Sequence, residues 1–324
     1  MNYSGFAKTC RIKLKYKSDM KIGDYVVVER IGYGSTSSVF KVKKDEDFYA
    51  MKCVTSEYFP SANEESKFLQ TVKHPNIIPV KQIFMFKNEN NEDRFCIVFP
   101  LAELNLNDIK SRIWSLVPIE KRWEWFLNLL DGLIEMKKYG YFHGDIHPKN
   151  ILITKGQAMW CDFGLSCKYK EGVRYSYGSF PYCSPAAFLQ NGWFHVPSTD
   201  PQDLLNITHA GQVLTLCHEG RLIVPLIEEE TPFEGDVFSL GLLLSYLFCV
   251  EKRNFLQTNT HKSDVNDVRE NMWRYVMYPE AYWNLLTIPY HAQIEPIIKR
   301  CCEINPKNRI TLEECKEMCA NVFL

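Results

Sequence analysis

The most constraining stretch of this 324-residue chain is Tyr141–Gly164, YFHGDIHPKNILITKGQAMWCDFG. It carries two acidic side chains in different surroundings. Asp145 lies five residues before Asn150, in a short polar turn. Asp162 follows the apolar run Ala158–Cys161 and precedes Phe163-Gly164. Between them Ile151–Thr154 reads as a strand, and Lys155-Gly156 as a turn into a second strand. A hairpin of this kind places Asp145, Asn150 and Asp162 at one end of a small sheet. Two carboxylates and an amide gathered there suit a hydroxyl-directed base with ligands for Mg²⁺, the parts that phosphoryl transfer needs.

HGDIHPKN followed by DFG resembles the catalytic loop and metal-binding motif of the eukaryotic-type protein kinases. The usual loop reads H-R-D-L-K-x-x-N. Here Gly144 stands in place of the Arg and His147 in place of the Lys. The pattern HGD-x-HP-x-N is also similar to the loop of small-molecule kinases acting on aminoglycosides or choline. Alone, the stretch indicates phosphotransfer better than it indicates the substrate.

Composition sets the frame. With 46% hydrophobic residues the chain can build one large or two small domains. Its net charge of −1 supplies no global field for nucleic acid or a membrane surface. The longest apolar run, near Val237–Val250, is broken by Ser239, Gly241 and Ser245 and is too short for a bilayer span, so it reads as a buried helix. The polar, basic N-terminus shows no apolar core followed by a cleavage site, so no signal peptide is expected. Twelve cysteines are scattered without a C-x-x-C pair, and Cys315 and Cys319 lack a second ligand pair. Reduced thiols in an intracellular compartment, the cytoplasm with the nucleus also open, are the reading.

Residues 1–20 form a basic arm carrying Lys8, Arg11, Lys13, Lys15 and Lys17, with a short edge strand possible at Arg11–Tyr16. Tyr25–Arg30 reads as a strand, followed by the turn Ile31–Val39 and a second strand, Phe40–Lys43. A glycine-rich turn between strands lets backbone N–H groups approach phosphate oxygens. It resembles the kinase glycine-rich loop, with Ser37 at the third glycine position. In Tyr49–Val54 the period of two puts Ala50, Lys52 and Val54 on one face. A lysine among apolar neighbours needs an anion. Ser61–Glu64 reads as a capping box that starts a helix at Ser61, ending near Lys73. On that helix Glu65, Phe68, Leu69 and Val72 share a face, so Glu65 turns toward the core while Glu64 serves the cap. His74-Pro75-Asn76-Ile77 resembles the family's HPNI turn, and Glu65 sits where its ion-pair glutamate would.

Ile83–Phe86 and Arg94–Phe99 read as the next two strands. Phe99–Ala102 resembles the kinase hinge, which implies adenine contacts at Pro100 and Ala102, with Asn105 in reach of the ribose. Pro118–Tyr139 reads as a long helix with an apolar stripe of Trp123, Phe126, Leu127, Leu130, Leu133 and Ile134. Beyond Gly164, Gly178–Ala186 resembles the G-T-x-x-Y-x-A-P-E end of an activation segment of Ser/Thr type, an element that small-molecule kinases lack. Asp236–Gly241 resembles D-V-W-S-x-G, whose aspartate braces the catalytic loop. Asn305–Thr311 resembles D-P-x-x-R-x-T, and Thr311 with Glu314 caps the last helix. In the family this Arg pairs with the Glu of A-P-E. Ala186 removes that carboxylate, so Arg309 must find another or stay solvated.

The resemblance covers about Lys21–Phe323. It implies an α+β, bilobal protein-kinase-like fold: a small β-rich N-lobe (21–101) with one main helix, and a larger helical C-lobe (102–324). An insertion of about 190–231 lies between Ala186 and Asp236. Within it Gln212–Cys217 and Leu222–Leu226 read as a β-hairpin and Pro197–Gln202 as a loop, a candidate docking element for protein substrates. The implied activity is transfer of the ATP γ-phosphoryl group to Ser or Thr of a protein substrate. Asp145 would be the base, Lys52 set by Glu65 would hold phosphates, and Asn150 and Asp162 would hold Mg²⁺. His147 would touch the γ-phosphate, with activity falling as pH rises and the ring loses its proton. The implied nucleotide contacts are Ile31, Gly32, Gly34, Val39, Ala50, Lys52, Pro100, Ala102 and Leu152. Gly144 removes the base that would bind an activation-loop phosphate, so activity without that phosphate is expected. A pseudokinase scaffold, suggested by Ser37, Gly144, His147 and Ala186, and a small-molecule kinase are the competing classes. The oligomeric state is not legible.

Overall fold

Alternating β-branched and aromatic residues in the first hundred positions build one antiparallel sheet of six strands, in the order β1-β2-β3-β4-β6-β5. The strands are β1 (Lys21–Ile22), β2 (Tyr25–Tyr33), β3 (Ser37–Lys44), β4 (Asp47–Thr55), β5 (Gln82–Lys87) and β6 (Asp93–Pro100). This computed structural model describes residues 20–34, 36–173, 175, 177–179, 181–190, 216–218, 221–223, 229–248, 275 and 291–322. The basic arm, Ser35, Ser176, the Pro197–Gln202 loop and most of the insertion lie outside the described residues. The chain divides into two units, Met1–Glu103 and Leu104–Leu324.

In the first unit the sheet has two distinct faces. Ile22, Tyr25, Val27, Phe40, Val42, Met51, Cys53, Cys96 and Val98 cluster on one. Register puts Gly32 opposite Val39, Val39 opposite Lys52, and Ala50 opposite Phe99. These residues alternate with the core set, so they line the other face.

Helix α1 (Phe59–Thr71) corrects the expected start at Ser61. Its N-cap is Tyr58, with no side-chain cap bond, and a proline stands in the first turn. Pro60 presets the helical φ where an N–H has no partner anyway, so the helix begins ahead of the serine. Glu64 caps nothing; it pairs with Lys67 at 2.6 Å. Glu65, Phe68, Leu69 and Val72 are all buried, as the helical spacing requires.

The second unit opens on β7 (Leu104–Asn105) and α2 (Leu106–Arg112), whose N-cap is Asn105. The long α3 (Ile119–Lys138) buries Trp123, Phe126, Leu130 and Leu133, and also Trp125, Leu129 and Met136. Leu127 and Ile134 are only half-buried. The apolar arc is wider than one stripe because α3 also packs on the hairpin of β8 (Ile151–Thr154) and β9 (Gln157–Trp160). Trp125 Nε1 donates to the Gly156 carbonyl at 3.0 Å, and Trp160 Nε1 to the Leu129 carbonyl at 2.8 Å. Lys155 and Gly156 hold φ of 48° and 75°, the left-handed pair of a tight two-residue hairpin turn.

After α4 (Pro185–Gln190), β10 (Leu216–His218) pairs antiparallel with β11 (Arg221–Ile223), with His218 opposite Arg221. The expected inserted hairpin is present, with His218 and Arg221 paired in the strands and not in the turn; the expected strand residues 212–215 and 224–226 lie outside the described residues. Helix α5 (Pro232–Phe248) is buried along Gly235–Phe248, which explains an apolar sequence without a polar stripe. No helix among the described residues is long and apolar enough to cross a membrane. Helix α6 (His291–Cys301) crosses α5 at Gly241, where a Cβ would fall 2.6 Å from Cys302 Sγ and 2.7 Å from Cys301 Cβ. Helix α7 (Leu312–Cys319) begins with the expected capping box: Thr311 Oγ1 accepts the Glu314 N–H at 3.1 Å, and Glu314 Oε2 accepts the Thr311 N–H at 2.7 Å.

Candidate active site

In the first unit Lys52 and Glu65 form a closed pair. Lys52 Nζ donates to Glu65 Oε2 at 2.8 Å and to Oε1 at 3.0 Å. The side chains are 9% and 2% exposed, so neither charge is shielded by water. Such a pair adds little net stability but fixes the ammonium in one place. Gly32 and Val39 stand beside Lys52 across the sheet. Ile31 is 47% exposed, unusual for an isoleucine, and Val39, Ala50, Pro100 and Ala102 are half-buried. The turn after β2 closes with the Gly34 N–H donating to the Ser37 carbonyl at 2.9 Å, and a Cβ on Gly34 would meet nothing within 4 Å. The backbone there is open to a ligand.

In the second unit the turn between Phe142 and Asn150 is fixed from below. Asp236, on α5, accepts the His143 N–H at 2.6 Å and the Gly144 N–H at 2.9 Å. Burial pushes its carboxyl up to about 7 against the pull of those two donors. His143 is fully buried between Trp160 and Phe163, ring centroids 4.9 and 5.2 Å away. Burial lowers its imidazole to about 4, so it stays neutral, and Nδ1 accepts the Asp145 N–H at 3.2 Å.

Asp145 is held on all sides by this frame. Asn150 Nδ2 donates to its Oδ2 at 2.8 Å and to its backbone carbonyl at 2.9 Å. His147 Nε2 lies 3.4 Å from the same Oδ2. Burial alone would raise the Asp145 carboxyl. The hydrogen bond and charge of His147, with the Ser179 hydroxyl, outweigh burial and hold it at about 2. It is thus an anion at any working pH. Its Oδ1 is buried and faces no donor among the described residues. The Asn150 carbonyl accepts the Cys161 N–H at 3.0 Å, which ties this turn to the strand leading into Asp162. Leu152 lies half-buried in β8.

The Asn150 amide nitrogen donates to Asp145, so its oxygen is the end with the chemistry to take a hard cation, as the Asp162 carboxylate also has. No group of three or more His, Cys, Asp or Glu suited to a metal occurs among the described residues. A Mg²⁺ ion usually keeps several waters and takes substrate phosphates, so a site for it needs only one or two protein carboxylates or amides.

The segment after Gly164 is anchored to the same turn. The Gly178 N–H donates to the Gly144 carbonyl at 2.6 Å, and the Tyr169 N–H to the Gly140 carbonyl at 2.8 Å. Tyr175 packs its ring 5.2 Å from Phe142, and its hydroxyl accepts the Lys170 N–H at 2.7 Å. Gly144 has φ +76°, and a Cβ there would meet the Leu165 carbonyl and Phe142 at 3.1 Å. An arginine therefore does not fit this backbone as it stands.

The sequence pattern described as "Protein kinase domain" matches residues 25–198. The chain belongs to that family. It is 27% identical over 301 residues to "Cyclin-dependent kinase F-3" of Oryza sativa subsp. japonica, covering 90% of this chain and 63% of that protein. It is 22% identical over 297 residues to "Cyclin-dependent kinase-like 5" of Homo sapiens, covering 90% and 28%. To "Serine/threonine-protein kinase Nek11" of Homo sapiens it is 28% identical over 189 residues, covering 52% and 28%. The chain spans less than two thirds of the length of these relatives. Its strand-rich first unit and helix-rich second unit have the α+β content of the protein kinase fold.

Within this kinase frame Asn105 departs from its expected use: its Oδ1 accepts the Asp108 N–H at 2.9 Å and caps α2, and its Nδ2 donates to Asp108 Oδ2 at 2.6 Å. Arg309 takes the first of its two expected courses and finds another carboxylate; its side chain is 0% exposed and paired with Glu230. Sequence reasoning missed Glu230. The available signal was an arginine left without its carboxylate, and three glutamates, Glu228–Glu230, just ahead of α5.

Proposed function

We propose that this chain is an ATP- and Mg²⁺-dependent serine/threonine protein kinase that works without a phosphate on its activation segment. Asp145 orients the substrate hydroxyl and accepts its proton. Lys52, positioned by Glu65, binds the α- and β-phosphates. Ile31, Gly32, Gly34, Val39, Ala50, Pro100, Ala102 and Leu152 contact the nucleotide. Asn150 and Asp162 would hold Mg²⁺, which would supply charge neutralisation at the phosphates. His147 donates to Asp145 and keeps its carboxylate turned and ionised. A reducing compartment, the cytoplasm or the nucleus, suits the nine described cysteines, all free thiols.

One observation carries the choice of protein substrate. The Gly178–Ser179 segment is bonded to the turn that holds Asp145: Gly178 N–H to the Gly144 carbonyl at 2.6 Å, with the Ser179 hydroxyl acting on the Asp145 carboxylate. A segment that ends beside the base is the surface along which a polypeptide would align its own hydroxyl. Independence from phosphorylation rests on the space at Gly144. Aromatic contacts among Phe142, Tyr175 and Tyr169 hold the segment where an arginine–phosphate pair would otherwise act.

Radiolabelled ATP with Mg²⁺ and a generic basic protein tests the reading, with Asp162→Asn as control. Label on protein that the control abolishes supports it. Nucleotide binding without transfer indicates a binding scaffold, and label only on a metabolite indicates a small-molecule kinase. Phosphatase treatment that removes most activity refutes phosphate independence.

A further inference from the structure

The family's usual brace for the end of the activation segment is absent, because residue 186 is alanine. A different carboxylate occupies that role in space. Glu230 lies at the C-terminal end of the insertion, two residues before α5. Its side chain is 1% exposed and receives donors from three directions. Arg309 Nη1 donates to Oε1, and the Ser184 and Tyr177 hydroxyls donate to Oε2, the latter at 2.9 Å. Arg309 completes its own shell on backbone carbonyls: Nε to Glu303 at 2.6 Å, Nη1 to Glu234 at 3.0 Å and Nη2 to Ile304 at 3.1 Å. Ser184 Oγ also accepts the Ala187 N–H at 3.1 Å, at the start of α4.

The arrangement is selective about what it holds. Tyr177 and Ser184 are the two ends of the segment that carries Gly178 and Ser179 to Gly144 and Asp145. Tyr177 is further pinned against α5, since a Cβ on Gly235 would fall 2.4 Å from its ring. Every charge and hydroxyl in the cluster has a partner, which is the condition under which a buried polar network rigidifies its surroundings. Removal of the carboxylate charge leaves a fully enclosed guanidinium without a counter-ion.

We infer that Glu230 is the positioning residue for the protein-substrate segment, gripping it at both ends in place of the missing glutamate of the activation-segment motif. The inference rests on the protein kinase reading for its kinetic consequence, but not for its structural one. The insertion thus returns its own C-terminal foot to the segment that precedes it. Lys52 and Glu65 pair with each other in the first unit, and nucleotide binding should be spared.

Glu230→Gln keeps the shape and removes the charge. The expected result is a KM for the basic protein raised about tenfold, with KM for ATP and ATP hydrolysis without protein within about twofold of wild type. Hydrogen–deuterium exchange of the peptide covering residues 177–187 should accelerate in the same variant. Unchanged exchange overturns the inference, and so does a loss shared equally by the ATP and protein parameters. If wild type transfers no phosphate while the peptide still exchanges faster in Glu230→Gln, the kinase reading falls and the positioning role stands. Where Glu230→Gln does not fold, Tyr177→Phe combined with Ser184→Ala removes two donors and no charge. A raised protein KM in that variant supports the inference, and an unaltered one overturns it.

Discussion

His147 is fixed at both ring nitrogens: Nε2 lies 3.4 Å from Asp145 Oδ2, and Nδ1 accepts the Lys149 backbone N–H at 3.2 Å. A ring that accepts at Nδ1 carries its proton at Nε2 and donates to Asp145 while neutral. His147→Ala should lower kcat about tenfold, roughly 1.4 kcal/mol, with KM for ATP unchanged. His147→Lys should restore most of that loss, because an ammonium also donates. Steady-state kinetics of the two variants check this. pH–rate profiles from about pH 6 to pH 9 separate the two forms of the ring. An alkaline fall present in wild type and absent in His147→Lys identifies a charged ring, and coincident profiles identify the neutral donor.

Glu65→Gln leaves the Lys52 ammonium buried beside an amide. Breaking one side of an enclosed pair costs about 3 kcal/mol. The variant should melt lower and bind ATP more weakly, whereas Lys52→Met with Glu65→Leu should recover stability without recovering nucleotide binding. Thermal melts with and without ATP·Mg²⁺ measure both effects. Full stability in Glu65→Gln would show that the pair is solvated in solution.

Stability should respond to pH with opposite signs at two touching residues. His143 has a folded pKa of about 4 against an ordinary 6.5, so its contribution is complete above 6.5 and is lost as pH falls toward 4. Asp236 has a folded pKa of about 7 against an ordinary 3.8, so its contribution is complete below 3.8 and is lost as pH rises toward 7. Relative to wild type, His143→Phe should therefore be less destabilised at acid pH than at neutral pH. Asp236→Asn should be less destabilised at neutral pH. Chemical denaturation across that window decides, and parallel curves for both variants contradict the assignment.

Gly144→Ala meets two obstacles, a left-handed φ of +76° and contacts at 3.1 Å with the Leu165 carbonyl and Phe142. A destabilisation of about 2 kcal/mol is expected from strain of this kind. Gly144→Arg should be at least as costly and should not make activity depend on activation-segment phosphate. Denaturant melts and a phosphatase assay on the variant test the two parts.

The legible parts of this site are those whose geometry is local. Lys52 was readable because strand period fixes its face, and Glu65 because helix period fixes its own. Asp145 and Asn150 lie five residues apart, close enough for one turn to join them. The start of α1 was misread because Ser61–Glu64 satisfies the spacing of a capping box, while Pro60 and the packing of Phe59 set the real start. Phe59 sets its ring 6.1 Å from that of Phe95 on β6, tilted by 55°, a helix-to-strand contact that sequence spacing does not encode. Asn105 was misassigned for a related reason: an asparagine before a helix serves the nearest unpaired N–H before any ligand. Glu230 was out of reach because its partners, Tyr177 and Ser184 on one segment and Arg309 on another, lie far from it in sequence and are joined to it only in three dimensions.

Asp162 sits at φ +59°, in the left-handed region. Aspartate, asparagine and glycine enter that region readily, and other residues are strained there by about 1–2 kcal/mol. The backbone therefore filters substitutions at this position before chemistry does. Asp162→Asn isolates the loss of charge, whereas Asp162→Ala mixes it with a conformational penalty. A descendant of this chain that abandoned catalysis and kept its fold would be expected to carry asparagine or glycine at 162 ahead of any other residue.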